Sequence, residues 1–206
     1  MKYGAVIPVK SLTQAKSRLA PSLSRKQRET LVLDMLQHVL YILQDSELFE
    51  HVSVVSSDER VLLQSQSWGA RALSEEQSGH NPALHAAALR EKAEGVASLL
   101  TISADLPLLS TQEIRCMFEQ SLQYEVVLAP SRDGTGTNAI LVRPPLVVPY
   151  LFGRDSFQQY IEAARQLQLS YTTYHSTGLA LDIDTMDDLD ALEVLGRNTK
   201  EIIYGC

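Results

Sequence analysis

Residues 99–109, LLTISADLPLL, carry the pattern that decides the fold of this chain. The stretch begins as a short apolar run, reaches a single carboxylate at Asp105, and breaks at Pro107. A short apolar run that ends at a breaker is typical of a buried strand in an open α/β sheet. Such sheets bind ligands just beyond the carboxyl ends of their strands, which is where Asp105 lies. An acid at that place either caps the next helix or binds a cation, and this stretch alone leaves both roles open.

The composition is that of an ordinary soluble protein. The chain has 206 residues, is 45% hydrophobic, and carries a formal net charge of −7. This length predicts a single domain over residues 1–206. No run of Lys and Arg exceeds two residues, which disfavours nucleic acid as a partner. The apolar runs are far shorter than the roughly 20 residues of a membrane span, and no secretory segment precedes the first strand. We therefore expect a cytoplasmic protein without a membrane partner.

The two cysteines and the neighbouring histidines do not form a recognisable metal pattern. Cys116 and Cys206 are far apart, so they predict neither a disulfide framework nor a metal site. His80 and His85 are five residues apart, which misses the spacing of a helical metal pair. We interpret both histidines as residues that do not bind a metal.

Strand-like and helix-like segments alternate along the chain. The strand-like segments are residues 3–9, 51–56, 70–73, the apolar run at the start of 99–109, 125–130, 139–143, 170–175 and 178–183. The helices between them begin at capping patterns, such as Ser24 with Gln27 and Ser110 with Glu113. This alternation predicts an α/β fold with a mostly parallel central sheet and helices on both faces.

A basic loop follows the first predicted strand. Lys10, Lys16 and Arg18 lie within nine positions of one another. Such a loop either lies on the solvated surface or binds phosphate groups at the carboxyl ends of the strands. The spacing alone leaves both interpretations open.

Two further loops are rich in small polar residues. Residues 131–138, SRDGTGTN, combine two glycines with two threonine hydroxyls, which suits either a ligand or a plain hairpin turn. Residues 152–157, FGRDSF, run into a helix, and a helix start of this kind favours an anion. Capping by Asp155 or Ser156 is the structural alternative and is compatible with anion binding.

Asp182 and Asp184 end the last strand-like segment. In an extended chain, alternation places both carboxylates on the same side. An Asp-x-Asp pair suits Mg²⁺, which prefers oxygen ligands, although it also fits two loop or cap acids. Acids that hold Mg²⁺ would bind phosphates beside the basic loop, as nucleotidyl transfer requires. The Walker and Gly-x-Gly-x-x-Gly patterns are absent, which disfavours a P-loop or Rossmann site.

Five motifs are spread in order along nearly the whole chain: AVIPVKSLTQAKSRLAP, SADLPLLS, DGTGTNAILVRPP, FGRDSF and GLALDIDTMDDL. They resemble the 2-phospho-L-lactate guanylyltransferase family, whose bacterial members are phosphoenolpyruvate guanylyltransferases of deazaflavin coenzyme (factor 420) biosynthesis. The ADLPLL stretch is less specific, because nucleotidyltransferases of the molybdenum-cofactor guanylyltransferase-like fold share it. The resemblance implies one nucleotidyltransferase domain with a nucleotide-diphospho-sugar transferase-like fold.

The resemblance also implies roles for individual residues. Asp105, Asp182 and Asp184 match the magnesium-binding acids, and with Lys16 they form the implied catalytic set. Thr137, Gly153 and Ser156 match positions that hold the phosphorylated three-carbon acid. The implied nucleotide contacts are Lys10, Lys16, Arg18, Gly79 and Asn81. The family often has Gly-Leu-Asn-Ala where this chain has Gly79-His80-Asn81-Pro82.

The implied reaction joins GMP from GTP to phosphoenolpyruvate with release of pyrophosphate. 2-Phospho-L-lactate and 3-phospho-D-glycerate stay open as the acid substrate, since they differ by a few atoms. The same residues also fit a related transferase that uses CTP or a sugar phosphate, a non-catalytic nucleotide-binding relative, or a glycosyltransferase that uses the Asp-x-Asp pair. A homodimer and the hand-over of an unstable product to the next enzyme are left open.

Overall fold

The computed structural model describes residues 2–75 and 79–195. In this part of the chain seven strands form one sheet in the order β3-β2-β1-β4-β6-β5-β7. Within that sheet only β6 runs antiparallel to its neighbours β4 and β5, so the prediction of a mostly parallel sheet is confirmed. The strands are β1 (Tyr3–Pro8), β2 (His51–Ser56), β3 (Arg71–Ser74), β4 (Ser98–Ile102), β5 (Val126–Pro130), β6 (Thr137–Val142) and β7 (Tyr171–Thr173).

Seven α-helices accompany the sheet in the described residues: α1 (Arg25–Asp45), α2 (Glu59–Ser67), α3 (His80–Ala93), α4 (Thr111–Ser121), α5 (Ser156–Gln166), α6 (Thr177–Ala180) and α7 (Met186–Val194). Both predicted capping boxes are present, at Ser24 and at Ser110. Within residues 2–75 and 79–195, no helix is long and apolar enough to cross a membrane. Cys206 and the end of the predicted domain lie outside the described residues.

The prediction of a strand over residues 178–183 is wrong. Thr177–Ala180 is the short helix α6, whose N-cap Ser176 accepts a hydrogen bond from the Leu179 N–H (3.3 Å). Residues beyond it are extended but pair with no strand in the described chain. A smaller difference concerns Pro82, which we predicted to lie in a loop and which lies in the first turn of α3, where a missing N–H costs no hydrogen bond.

Helices cover both faces of the sheet, as predicted. Leu100 and Ile102 of β4 belong to the core cluster that includes residues of α1 and α4. Leu99 points the other way and belongs to the cluster of α3 and α5, where Tyr160 is fully buried. This alternation follows from the period of a strand, and it leaves the carboxyl ends of the strands as the open edge of the sheet.

Candidate active site

A cleft of about 900 Å³ opens at the edge of the sheet where β1 and β4 end. Because β6 runs antiparallel, its first residue Thr137 lies at this same edge. The cleft brings together all of the predicted site residues except Gly79 and Asn81. Those lining it are Lys10, Lys16, Arg18, Asp105, Thr137, Gly153, Ser156, Asp182 and Asp184.

The acid-bearing segments meet through a backbone contact. The Ile183 N–H donates a hydrogen bond to the Asp105 carbonyl oxygen (3.2 Å). Leu181 and Ile183 are buried in a cluster with residues of α1 and α7, so Asp182 and Asp184 face the opposite side. We predicted this Asp pair at a strand end. The pair lies instead in the link from α6 to α7. Because this link is extended, Asp182 and Asp184 still face the same side.

Lys16 bridges two of the acids. Its Nζ lies 2.5 Å from Asp105 Oδ2 and 2.8 Å from Asp184 Oδ1, while only 9% of the lysine side chain is exposed. Burial alone would lower the pKa of Lys16, but the two carboxylates raise it above its ordinary value. Burial opposes the ionisation of Asp184, yet the charge of Lys16 holds its pKa below the ordinary value. The ion pair of Lys16 and Asp184 is therefore charged at neutral pH.

The backbone of Lys16 is in the left-handed region, with φ 49° and ψ 45°. A non-glycine residue rarely adopts this conformation, and it tends to do so where surrounding contacts hold it. Here the two ion pairs hold the lysine at the start of the Ser17–Leu19 turn. Lys16 lies in a loop, and in this conformation it is one of the residues that line the cleft.

Asp182 is held differently from the other two acids. Asn138 donates through Nδ2 to Asp182 Oδ1 (3.0 Å) and to the backbone carbonyls of Leu179 (2.9 Å) and Ala180 (3.2 Å). Burial and the charges of Asp105 and Asp184 raise the pKa of Asp182, against this hydrogen bond. Asn138 was missed as a site residue, although it ends the Gly-Thr-Asn run of the loop at residues 131–138.

The residues predicted to hold the phosphorylated acid lie together. Ser156 Oγ is 3.2 Å from Thr137 Oγ1, and both side chains are buried at the cleft wall. Gly153 has φ +135°, a conformation that L side chains rarely adopt, which accounts for glycine at this turn. Asp155 is the N-cap of α5 but its side chain forms no cap hydrogen bond, so the capping alternative for Asp155 is wrong.

The loop between β5 and β6 is stabilised by one carboxylate. Asp133 Oδ1 accepts hydrogen bonds from Ser131 Oγ (2.7 Å) and the Thr135 N–H (3.0 Å), and Oδ2 accepts one from Thr135 Oγ1 (2.9 Å). These hydrogen bonds lower the pKa of Asp133 to about 2. In the same loop Arg132 pairs with Asp188 (2.8 Å), and both line the cleft, although neither was predicted as a site residue.

Gly79 and Asn81 lie outside the lining of the cleft. Asn81 forms two hydrogen bonds with the backbone of Phe152, one to its carbonyl and one from its N–H, each of 3.0 Å. Asn81 thus supports the loop that carries Gly153. A direct contact of Gly79 or Asn81 with a nucleotide stays a prediction.

The donor set of the cleft suits a hard divalent cation, because it offers carboxylate oxygens. The charges of Asp105 and Asp184 both raise the pKa of Asp182, so each of them lies close enough to Asp182 to repel its charge. The described residues nevertheless contain no group of three or more His, Cys, Asp or Glu side chains already arranged around a metal position. This is compatible with Mg²⁺, which is often held by one or two carboxylates together with substrate phosphates.

Solved structures show the fold. A crystal structure of a candidate nucleotide-diphospho-sugar transferase from Desulfovibrio desulfuricans G20 aligns with a TM-score of 0.80 at 17% identity, over 98% of this chain and 90% of that chain. The 4-diphosphocytidyl-2C-methyl-D-erythritol synthase from Anaerococcus prevotii DSM 20548 aligns with a TM-score of 0.62 at 10% identity, over 95% and 99%. The predicted nucleotide-diphospho-sugar transferase-like fold is confirmed.

Curated relatives cover nearly the whole chain. A phosphoenolpyruvate guanylyltransferase from Sphaerobacter thermophilus is 38% identical over 188 residues, which are 91% of each chain. A 2-phospho-L-lactate guanylyltransferase from Methanothermobacter thermautotrophicus is 36% identical over 205 residues, 99% of this chain and 90% of its own. A 3-phospho-D-glycerate guanylyltransferase from Colwellia psychrerythraea is 34% identical over 212 residues, 100% and 99%. Residues 3–204 also match the family model described as "Guanylyl transferase CofC like". The chain therefore belongs to the CofC-like guanylyltransferase family, and it is a nucleotidyltransferase.

Proposed function

We propose that this enzyme transfers GMP from GTP to the phosphate of a phosphorylated three-carbon acid, with phosphoenolpyruvate as the first choice. The observation that carries the proposal is that one cleft holds two kinds of group. Asp105, Asp182 and Asp184 line it together with Lys16, and the buried hydroxyl pair of Thr137 and Ser156 lines it too. The acids and the lysine suit a triphosphate with its cation, and the hydroxyl pair suits a small polar acid.

In the proposed reaction a phosphate oxygen of the acid attacks the α-phosphorus of GTP. A P–O–P bond forms between acid and GMP, and the bond from the α-phosphorus to the bridging oxygen breaks, so that pyrophosphate leaves. The attacking phosphate is already ionised near neutral pH, which makes a general base unnecessary. Most of the catalysis is then positioning and electrostatic stabilisation.

The residues divide this work between them. Lys16 is an ionised, buried ammonium that would neutralise charge developing on the triphosphate. Lys10 and Arg18 also line the cleft, both act electrostatically on Asp184, and they would hold outer phosphate oxygens. Thr137 and Ser156 would donate hydroxyl hydrogen bonds to the acid, while Gly153 lets the backbone approach it closely.

Mg²⁺ would be held by Asp105, Asp182 and Asp184, and when bound it would supply neutralisation of the phosphate oxygens. Lys16 balances the charge of two of these acids. We infer that the lysine and the cation share the acids, and that substrate phosphates would supply further oxygen ligands. A non-catalytic relative is disfavoured, because all three acids face one cleft.

We also propose a biological setting. The product with phosphoenolpyruvate would be enolpyruvoyl-2-diphospho-5'-guanosine, an intermediate in biosynthesis of the deazaflavin coenzyme factor 420. The support is the resemblance of the motifs to that family. A cytoplasmic location and the hand-over of an unstable product to the next enzyme follow from the same setting.

The acid substrate is tested by a matched panel. The enzyme is supplied with GTP and Mg²⁺ together with phosphoenolpyruvate, 2-phospho-L-lactate or 3-phospho-D-glycerate, and pyrophosphate is measured. We expect the highest kcat/KM with phosphoenolpyruvate. Replacing GTP by CTP with the same acids distinguishes the proposal from a cytidylyltransferase, since substantial pyrophosphate from CTP would contradict it.

A further inference from the structure

A second chamber of about 240 Å³ adjoins the main cleft. The residues that follow β1, β2 and β3 line it, so it lies at the same edge of the sheet. The two cavities share one wall, formed by Pro8, Val9, Lys10, Gln14 and His80. A molecule bound in the main cleft can therefore extend into this chamber past Lys10.

The second chamber carries fewer acids than the main cleft. Its lining combines apolar side chains, those of Pro8, Val9, Val55 and Ala83, with polar ones, and Glu75 is the one carboxylate among its described lining residues. Its volume is about eight times that of a water molecule in the liquid, which is room for a flat ring system rather than for a bare ion. Such a chamber suits the base of a nucleotide whose phosphates lie in the main cleft.

Glu75 is held in place at the wall of this chamber. Its N–H donates to the Ser56 carbonyl (3.0 Å), which fixes the residue directly after β3. Its Oε1 accepts a hydrogen bond from the Gly79 N–H at the start of α3 (3.2 Å). Glu75 is half-buried, and the hydrogen bond from Gly79 orients its carboxylate.

A fixed carboxylate discriminates among bases by hydrogen bonding. Guanine presents two adjacent donors, the N1–H and the exocyclic amino group, which match the two acceptor oxygens of a carboxylate. Adenine and cytosine carry a ring nitrogen that accepts hydrogen bonds beside their amino group. In the same position this nitrogen would face a carboxylate oxygen, which is also an acceptor. A buried acceptor that faces another acceptor loses its hydrogen bond and is penalised for desolvation.

We propose that Glu75 is the specificity-determining residue that selects guanine, by accepting hydrogen bonds from the N1–H and 2-amino groups of the base. This inference rests on the proposed function, because it takes the triphosphate of the main cleft to be that of GTP. It assigns to the second chamber a task that the acids and the hydroxyl pair do not perform.

The test compares GTP with inosine triphosphate, which lacks only the 2-amino group. For the wild type we expect kcat/KM and the calorimetric affinity to favour GTP by at least about tenfold. In Glu75→Gln and Glu75→Ala that ratio should fall towards one, through weaker nucleotide binding, while the KM for the acid stays unchanged. Glu119→Gln, at an exposed position of α4, is the control and should keep the wild-type ratio.

A folded Glu75 variant that keeps the wild-type ratio would overturn the proposal, as would a wild type that binds both nucleotides equally. The isosteric Gln variant keeps the test valid if the Ala variant fails to fold. Failure of the proposed function looks different, because the wild type would then release no pyrophosphate with any of the three acids. In that case the ratio of the calorimetric affinities for GTP and inosine triphosphate, compared between wild type and variants, would still decide the role of Glu75.

Discussion

The backbone N–H of Ile183 donates a hydrogen bond of 3.2 Å to the carbonyl oxygen of Asp105. This contact joins the end of β4 to the link between α6 and α7, which are separated by most of the second half of the chain. Lys16 then bridges Asp105 to Asp184 from a third segment. A backbone hydrogen bond and a charged bridge thus both hold the acids of the candidate site together.

Replacement of Lys16 by Met should reduce turnover strongly. The variant keeps much of the side-chain volume but removes the ammonium, leaving Asp105 and Asp184 without their partner. We expect kcat to fall on the order of a hundredfold, as when one electrostatic contact to the transition state is lost. Lys26→Met, at an exposed position of α1, is the control in the same pyrophosphate assay and should retain activity. Near-normal turnover of the Lys16 variant would contradict its role.

Asp182→Asn should stabilise the metal-free protein while it removes activity. Burial and the neighbouring carboxylates raise the pKa of Asp182, so its charged form costs stability at neutral pH. An asparagine keeps an oxygen to accept the hydrogen bond from Asn138 without the charge. We expect a thermal midpoint a few degrees above that of the wild type in a metal chelator at pH 7.

The pH dependence supplies the check on Asp182. Because its folded-state pKa is raised, the wild type recovers this stability as the pH falls through that pKa and the carboxyl becomes protonated. The difference between variant and wild type should therefore shrink in acid. A variant that is less stable than the wild type at pH 7 contradicts the assignment of a strained charge at this position.

Gly178→Ala should destabilise the protein and misplace the acid pair. A Cβ at Gly178 would lie 2.2 Å from Glu113 Oε2 and 2.5 Å from the Leu108 carbonyl oxygen. Glu113 also accepts the Gly178 N–H (2.8 Å), so the methyl group would push α6 off its support. We expect a loss of about 1–3 kcal/mol in the free energy of unfolding, measured by denaturant titration. Thr177→Ala, at the exposed neighbouring position, should stay close to wild type.

Ser156→Ala should weaken the acid substrate more than GTP. The Ser156 hydroxyl lies beside that of Thr137 in the lining of the cleft, and neither residue belongs to the lysine bridge. We expect the KM for phosphoenolpyruvate to rise about tenfold or more, with little change in the KM for GTP. An equal rise of both constants would argue against placing the acid at this pair.

Asp133 should titrate near pH 2 in the folded protein. Its three hydrogen bonds from Ser131 and Thr135 lower the pKa to about 2, whereas an ordinary aspartate titrates near 3.9. A lowered pKa means that the loop gains stability above the ordinary value and loses it as the pH falls through the folded value. Carboxyl carbon chemical shifts followed by NMR report this directly, and a midpoint near 4 would contradict the hydrogen-bonded loop.

The sequence predicted the parts of the fold that depend on local pattern. The apolar run before Asp105 became β4, and the capping boxes at Ser24 and Ser110 start helices where expected. Residues 178–183 alternate like a strand, but the Ser176 cap and the contact of Gly178 with Glu113 stabilise a helical turn instead. The second of these contacts links residues 65 positions apart, so no local pattern could show it.

The candidate site was predictable in its members and much less in its arrangement. The spacing of Lys10, Lys16 and Arg18 suggested a phosphate-binding loop. The bridge from Lys16 to Asp105 was not predictable, because it joins residues 89 positions apart and Lys16 has a left-handed backbone. Asn138 and Arg132 were missed as site residues for a similar reason. Their partners Asp182 and Asp188 lie in a segment that only the fold brings near them.

The most direct measurement is phosphorus NMR of GTP, Mg²⁺ and phosphoenolpyruvate incubated with the enzyme. The proposed reaction predicts pyrophosphate together with two new, mutually coupled resonances from a P–O–P link between the acid and GMP. Asp184→Ala should give neither, and omission of phosphoenolpyruvate should leave GTP intact. Pyrophosphate or GMP formed from GTP without a coupled pair, or unchanged phosphorus signals with all three acids tried, would contradict guanylyl transfer to a phosphorylated acid.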